Sequence, residues 1–473
     1  MENNIATMAD IVELLKEFMP NILLCLSIAL LAGLLFSRLA KKLNLPAVTA
    51  YLVAGIVVGP YALGQLSALI GVNGLGFTSV ANENGGFTSP YLHAFDILSK
   101  VALGFIAFSI GNEFRLSQLK QIGKQATIVG IIQAVVTTLL VDASLIAFHF
   151  IRPDVLPLEA AIILGAIASA TAPAATLMVV KQYKAKGPLT NILLPVVALD
   201  DAVGLILFAV SFGVAKGIGT GDVSVISIVV EPLIEIVASL GLGAAFGFLF
   251  SFCERFFHSR SKRLAVSVAF LFATIAISLL EDLHIGPVHI HFSSLLSCMM
   301  LGTIFCNTCD FSEELMDRVD RWSAPLLIVF FVTSGAELDL SVFTSIAIVI
   351  VGVVYLIFRS AGKYSGALLS AKISKCDDTI VKYLGITLLP QAGVALGMAN
   401  TVKGYYENVE GSEVGVIVVS ITLFAVLVYE LVGPMLTKIA LQKAGEINPE
   451  GKTSARQEHA KNKEHIQRYK EAK

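Results

Sequence analysis

Apolar residues along this chain run in blocks of about 17 to 25, separated by short stretches that hold most of the charge. A helix of ~20 apolar residues spans the hydrocarbon core of a bilayer, so each block reads as a membrane span. Thirteen are predicted, at about 19–40, 47–70, 94–113, 124–150, 158–181, 189–215, 224–252, 263–281, 289–306, 323–337, 342–371, 380–402 and 413–440. The charge of the intervening loops alternates. One set carries Arg38, Lys41, Lys42, Arg115, Lys120, Lys124, Lys181, Lys184, Lys186, Arg255, Arg260, Lys262, Arg263, Arg318, Arg321, Lys372, Lys375 and Lys382, and the other only Lys16, Arg152, Lys216 and Lys403. Basic loops stay on the cytoplasmic side, which predicts an outside N-terminus and an inside C-terminus.

Composition agrees with this pattern. With 55% hydrophobic residues and a mean hydropathy of +0.78 over 473 residues, the chain has more apolar surface than soluble cores hide. The expected class is an all-α polytopic membrane protein. A formal net charge of −2 offers no nucleic-acid signature. The six cysteines are scattered, and the close pair Cys306 and Cys309 lacks further ligands, so they read as apolar fillers. The segment 1–18 is not expected to be a secretory signal, having more acid than base and no small-residue cleavage site. From about Leu441 to Lys473 the chain is polar and basic, and a solvated cytoplasmic tail touching acidic lipid at most is expected. Gly241 to Gly247 suggest close helix packing within a span rather than a dinucleotide fingerprint.

A short motif occurs twice, as GNEFRL at Gly111–Leu116 and GAELDL at Gly335–Leu340. The copies lie seven spans apart, an odd number, so they point oppositely across the membrane. This predicts an inverted repeat: 19–215 against 263–440, with 224–252 as linker, inside a membrane domain of 19–440. Two spans beyond each motif, proline falls in mid-span among small and polar residues: Thr171, Ala172 and Pro173, then Pro390, Gln391 and Gly393. Matched interruptions of this kind predict two broken helices crossing at a substrate site, where unwound backbone supplies polar groups.

Immediately after the first interruption, VALDDAVGL places Asp200 and Asp201 deep in an apolar run. Each carboxylate there costs roughly 2.5 to 3.5 kcal/mol, which marks a functional position. Neighbours on a helix point about 100° apart, so the two acids face different surroundings. Lys363 on span 11 is available as a partner, with Arg359 one turn away as the alternative. Desolvation disfavours charge, so a carboxylate in such a place can hold a proton or a small hard cation near neutral pH, but not both. Competition of this kind plus alternating access is sufficient for cation/proton exchange. Oxygen donors suit an alkali ion.

The runs RLAKKLNLPAVTAYLVAGIVVGPYALG, GNEFRLSQLKQIGK, KGPLTNILLPVVALDDAVGL, FFVTSGAELDL, GKYSGALLSAKI and LLPQAGVALG together resemble the monovalent cation:proton antiporter-2 family, closest to bacterial members with an Asp-Asp pair. The resemblance implies thirteen spans, inverted repeats, a dimerisation domain and a mobile core, in a homodimer of the bacterial inner membrane. It implies that Asp201 binds the cation, that Asp200 pairs with Lys363, and that no cofactor is needed beyond the transported sodium, lithium or potassium and the protons. Where some relatives have Thr-Asp-Pro at the first crossing this chain has Thr-Ala-Pro, so Thr171 and Thr176 must serve there. The Asp-Asp plus Lys pattern implies electrogenic exchange of two protons per cation. Electroneutral or potassium-selective exchange is the alternative.

Two rivals from other classes are weighed against transport. Gly219 to Asp222 spells the GxGD of intramembrane aspartyl proteases, without a Tyr-Asp partner motif. A cation channel also carries acids in its spans, but predicts flux without proton coupling. His284, His289 and His291 read as interfacial rather than metal-binding, and Glu113 and Glu337 as helix-end residues. Gln133 and Asp142 on span 4 receive no role.

Overall fold

In the computed structural model, residues 8–447 are described, apart from 44, 71–76, 82–86, 113, 115, 221–230, 281–283, 286–287, 290–291, 310, 339–344, 407–408 and 410–411. The order of helices is α1 (Met8–Lys42), α2 (Ala47–Val58), α3 (Leu63–Ile70), α4 (Pro90–Asn112), α5 (Leu116–Ile151), α6 (Leu158–Ile167), α7 (Pro173–Tyr183) and α8 (Pro188–Thr220). There follow α9 (Glu231–Glu254), α10 (Arg260–Ser278), α11 (Ser294–Thr308), α12 (Ser312–Ala336), α13 (Ile346–Ile373), α14 (Asp378–Thr387), α15 (Gly393–Tyr406) and α16 (Val414–Lys443). Two antiparallel ladders of two-residue strands are the only sheet among the described residues: β1 (Val80–Ala81) with β2 (Phe87–Thr88), and β3 (His284–Ile285) with β4 (Val288–His289). Among the described residues nine helices are long and apolar enough to cross a membrane. The protein is all-helical and multi-pass.

The helices sort into two groups. In the first, α5, α6, α8, α13, α14 and α16 pack on one another, with α7 and α15 continuing their broken partners; in the second, α1, α2, α4, α9, α10, α11 and α12 do so. The groups meet chiefly where α16 and α7 touch α2, α7 touches α4, and α8 touches α9. Polar links cross this seam. Lys181 of α7 donates to both oxygens of Asp320 on α12 at 2.7 Å, a carboxylate that Ser109 of α4 holds from within the second group at 3.0 Å, and Gln182 of α7 accepts from the Ala47 amide of α2 at 2.8 Å. Both glycines of the Gly243–Gly247 pair seat α9 against α11: a Cβ at Gly243 would meet Met300 at 2.8 Å, and one at Gly247 would meet Ile304 at 2.7 Å.

Three expectations need correcting. Hydropathy puts the tenth block at 323–337, but α12 already begins at Ser312. Its first turns are amphipathic, with Arg318 bonded to Glu314 at 2.8 Å on the outer side while Leu315, Met316 and Val319 are buried, so hydropathy alone reads them as loop. The ninth block begins at Ser294 rather than 289, because Ser293 caps α11 by accepting from the Leu296 amide and His289 belongs to β4. The tail does not become solvated at Leu441. Leu441 is fully buried, α16 runs on to Lys443, and Glu446 folds back onto the start of α8. The Glu446 carboxylate accepts from the Leu189 amide at 2.7 Å, the Thr190 amide at 2.8 Å and the Thr190 hydroxyl at 2.7 Å. Those amides have no partner within the helix, and a carboxylate also complements the positive end of its dipole.

Candidate functional site

Both predicted interruptions are present. α6 stops at Ile167 and α7 restarts at Pro173; α14 stops at Thr387 and α15 restarts at Gly393. Proline lacks an N–H and fixes φ, so Pro173 opens its half-helix at a tolerated position. The two unwound segments cross in contact: the Ala172 amide donates to the Pro390 carbonyl at 2.8 Å. Such a crossing leaves carbonyls of both half-helices without helical partners inside an apolar bundle, and each demands a donor.

α13 supplies most of those donors from one face. Tyr355, Arg359 and Lys363 recur every four residues, one above the next, and all three are fully buried. Arg359 donates through Nε to Ala168 O at 3.0 Å, through Nη2 to Ala170 O at 2.7 Å and through Nη1 to Leu389 O at 2.8 Å, while its guanidinium lies 4.4 Å from the centre of the Tyr429 ring. Gln391 completes the set, donating to Ile167 O and to the Tyr355 hydroxyl, each at 3.0 Å. Arg359 therefore ties the two breaks together.

Lys363, one turn on, pairs with the acid. Its Nζ lies 2.8 Å from Asp200 Oδ2, with both side chains fully buried. It also reaches Gln133 Oε1 at 3.0 Å, Thr171 Oγ1 at 2.9 Å and Ser169 O at 2.5 Å. An ammonium has three hydrogens, so four acceptors share them. Asp200 is held further by donation from the Thr171 hydroxyl to Oδ2 and from Gln133 Nε2 to Oδ1. Of the two basic partners left open by sequence, Lys363 takes the acid and Arg359 takes the carbonyls.

Glycine explains how this contact is reached. A Cβ at Gly362 would stand 2.8 Å from Thr137 Cα, and one at Gly366 would stand 2.9 Å from Gln133 Cα. α13 thus lies directly against the α5 backbone, and Lys363 is delivered to Gln133 and Asp200.

The structure therefore brings Asp200, Lys363, Thr171, Ala172, Pro390 and Gln391 together at the crossing, with Pro173 and Gly393 opening the second half-helices. Thr176, in the first turn of α7, is fully buried, and its hydroxyl finds no hydrogen-bond partner among the described residues; the same holds for Gln391 Oε1. The backbone of Asp201 lies in α8 directly after Asp200, while its side chain lies outside the described residues. Also outside them are Glu113, Asp222, His291 and the side chains of His284 and His289. Glu337 is an exposed cap at the end of α12, and Asp142 packs on Gly165 of α6 with Oδ1 unpartnered among the described residues. Gln133, Ser169, Tyr355 and Tyr429 are site groups that the sequence reading leaves unassigned. A lone amide in an apolar run was the available signal for Gln133; Ser169 acts through its carbonyl, which no sequence pattern marks.

Known proteins resemble this chain over most of its length. The chain is 25% identical over 374 residues to the Na(+)/H(+) antiporter NhaS4 of Synechocystis, covering 78% of this chain and 84% of that one. It is also 25% identical over 346 residues to the high-affinity Na(+)/H(+) antiporter NhaS3 of the same organism, covering 70% and 71%. In fold it is similar to the sodium proton antiporter MjNhaP1 from Methanocaldococcus jannaschii, with a TM-score of 0.67 at 18% identity over 90% of this chain and 98% of that one. With residues 26–443 matching the family described as sodium/hydrogen exchanger, transmembrane, the chain belongs to that family.

Proposed function

We propose that this protein exchanges a monovalent cation for protons across the membrane by alternating access, with sodium or lithium as the expected cation and potassium as the alternative. The observation that carries the proposal is the buried Asp200–Lys363 pair at the crossing of two broken helices, followed in the chain by a second acid. Two oxygens of the breaks, Thr176 Oγ1 and Gln391 Oε1, lack partners among the described residues and are of the type a hard cation accepts. In this reading Asp201 binds either the cation or a proton. Thr171 is committed to Asp200 and Lys363, so Thr176 is the better hydroxyl ligand of the two. The core that moves is the α5–α8 and α13–α16 group, and the other helices form the panel against which it slides, expected to carry the homodimer contact and to face lipid.

The helices fit thirteen crossings if α2–α3, α6–α7 and α14–α15 each count as one. The N-terminus is then outside and the C-terminus inside, the two repeats are inverted about the α9 linker, and the setting is a bacterial inner membrane. Exchange is proposed to be electrogenic, which needs a second proton besides the one exchanged at Asp201; the buried Lys363 ammonium is the group that can carry it. The test is the full-length chain in proteoliposomes carrying an acid interior, with sodium, lithium, potassium and choline added in turn. Proton release on one or more alkali ions, but not on choline, is expected, and the responding ion names the substrate. Cation flux that moves no protons points to a channel and contradicts exchange.

A further inference from the structure

We infer that Gln133 is a positioning residue that keeps Asp200 and Lys363 paired with each other and so keeps both away from the transported cation; the inference rests on the exchange reading above. Gln133 stands on α5, outside both broken helices, and is fully buried. Its amide is used at both ends. Oε1 accepts from Lys363 Nζ at 3.0 Å, one Nε2 hydrogen goes to Asp200 Oδ1, and the other goes to Gly130 O at 3.1 Å. The polarity of this arrangement fits an ammonium and a carboxylate and nothing reversed. Rotating the amide by half a turn would set its nitrogen against the ammonium and its oxygen against both the carboxylate and the Gly130 carbonyl.

The consequence concerns which acid meets the cation. With Gln133 on Oδ1 and Thr171 and Lys363 on Oδ2, both Asp200 oxygens are engaged. Asp201 has the next place in the chain, on a different side of α8. If the amide is lost, Oδ1 is released and the pair loosens. A loosened ammonium is itself a cation, released beside the next acid in the chain, and competes with the transported ion for carboxylate oxygen. Removal of Gln133 should therefore weaken cation binding more than it slows turnover.

The experiment uses the full-length protein in proteoliposomes, with wild type, Gln133→Met and Gln133→Glu compared for half-saturating sodium (or whichever alkali ion the wild type answers) and for maximal rate. Methionine keeps the length and removes both polar ends, whereas glutamate keeps the shape and one acceptor but loses the donor to Asp200. Both are expected to raise the half-saturating concentration at least about fivefold, with the maximal rate within about twofold of wild type. The same Gln133→Met change is then made with Asp200→Asn and Lys363→Met, and sodium-dependent thermal stabilisation in detergent is read in both backgrounds. A positioning role predicts that the shift in half-saturation disappears when there is no pair to position. An unchanged half-saturation, a loss of rate alone, or an equal shift in both backgrounds overturns the role of Gln133 and leaves exchange standing. A folded wild type that answers no cation overturns the exchange reading and this inference with it.

Discussion

Replacing Lys363 by methionine alone is expected to destabilise the protein by about 3 to 5 kcal/mol, and replacing Asp200 by asparagine in the same chain should restore most of that loss. The asymmetry follows from burial. Both side chains are fully enclosed and 2.8 Å apart, so removing the ammonium strands a carboxylate that water cannot reach. Removing both charges strands no ion: asparagine can still receive the Thr171 hydroxyl and methionine fills the lysine channel, while Ser169 O and Gln133 Oε1, which lose the ammonium, are neutral acceptors and cost less than a buried charge. Melting of the single and double variants in detergent checks this. If the double variant melts as low as the single one, the pair does not stand in a dry site and the geometry of the crossing is wrong.

The second large effect is at Arg359. Arg359→Met is expected to cost at least about 3 kcal/mol, because three buried carbonyls, Ala168 O, Ala170 O and Leu389 O, lose their donor at once and each orphaned group costs about 1 to 3 kcal/mol. Arg359→Lys should rescue little: a single ammonium cannot reproduce a planar fork that spans both breaks. Local loosening should accompany the loss. Hydrogen exchange at residues 168–172 and 388–392 is expected to rise in Arg359→Met by more than at the α9–α11 contact, which the arginine does not touch. Uniform exchange across the chain, or full rescue by lysine, would argue that Arg359 is merely a buried charge rather than the tie between the two half-helix pairs.

What sequence made legible, and what it did not, divides along a physical line. Charges and prolines in apolar runs stand out because the bilayer makes them expensive, so the sequence alone marks Asp200, Asp201, Lys363, Pro173 and Pro390. Their matched positions in two copies of one motif told that the breaks belong together. The pairing of Asp200 with Lys363 is implied by the family resemblance, but the residues alone leave Arg359 open, because the choice and the role of Arg359 at the carbonyls depend on how α13 is turned against the two breaks. Gln133 escaped assignment for a similar reason. An amide in a span reads the same whether it faces lipid, water or an ion pair, and only Gly362 and Gly366, which let α13 lie on the α5 backbone, decide among these. Glu446 was read as part of a solvated tail because its partners, the first amides of α8, lie far back in the chain. Hydropathy likewise hid the start of α12, where most of the charges lie on the outer side and Asp320 is turned inward to Lys181.

The central claim is that one carboxylate, Asp201, holds the cation and the proton in turn. It is tested most directly by the half-saturating concentration of the transported cation as a function of pH in proteoliposomes, for the wild type and for Asp201→Asn. Competition at Asp201 predicts that this concentration climbs by at least about tenfold per pH unit on the acid side, more steeply where the second proton is displaced as well, while the maximal rate stays constant, and that Asp201→Asn is silent at every pH. A half-saturation independent of pH, or an Asp201→Asn variant that still exchanges cations for protons, would contradict it.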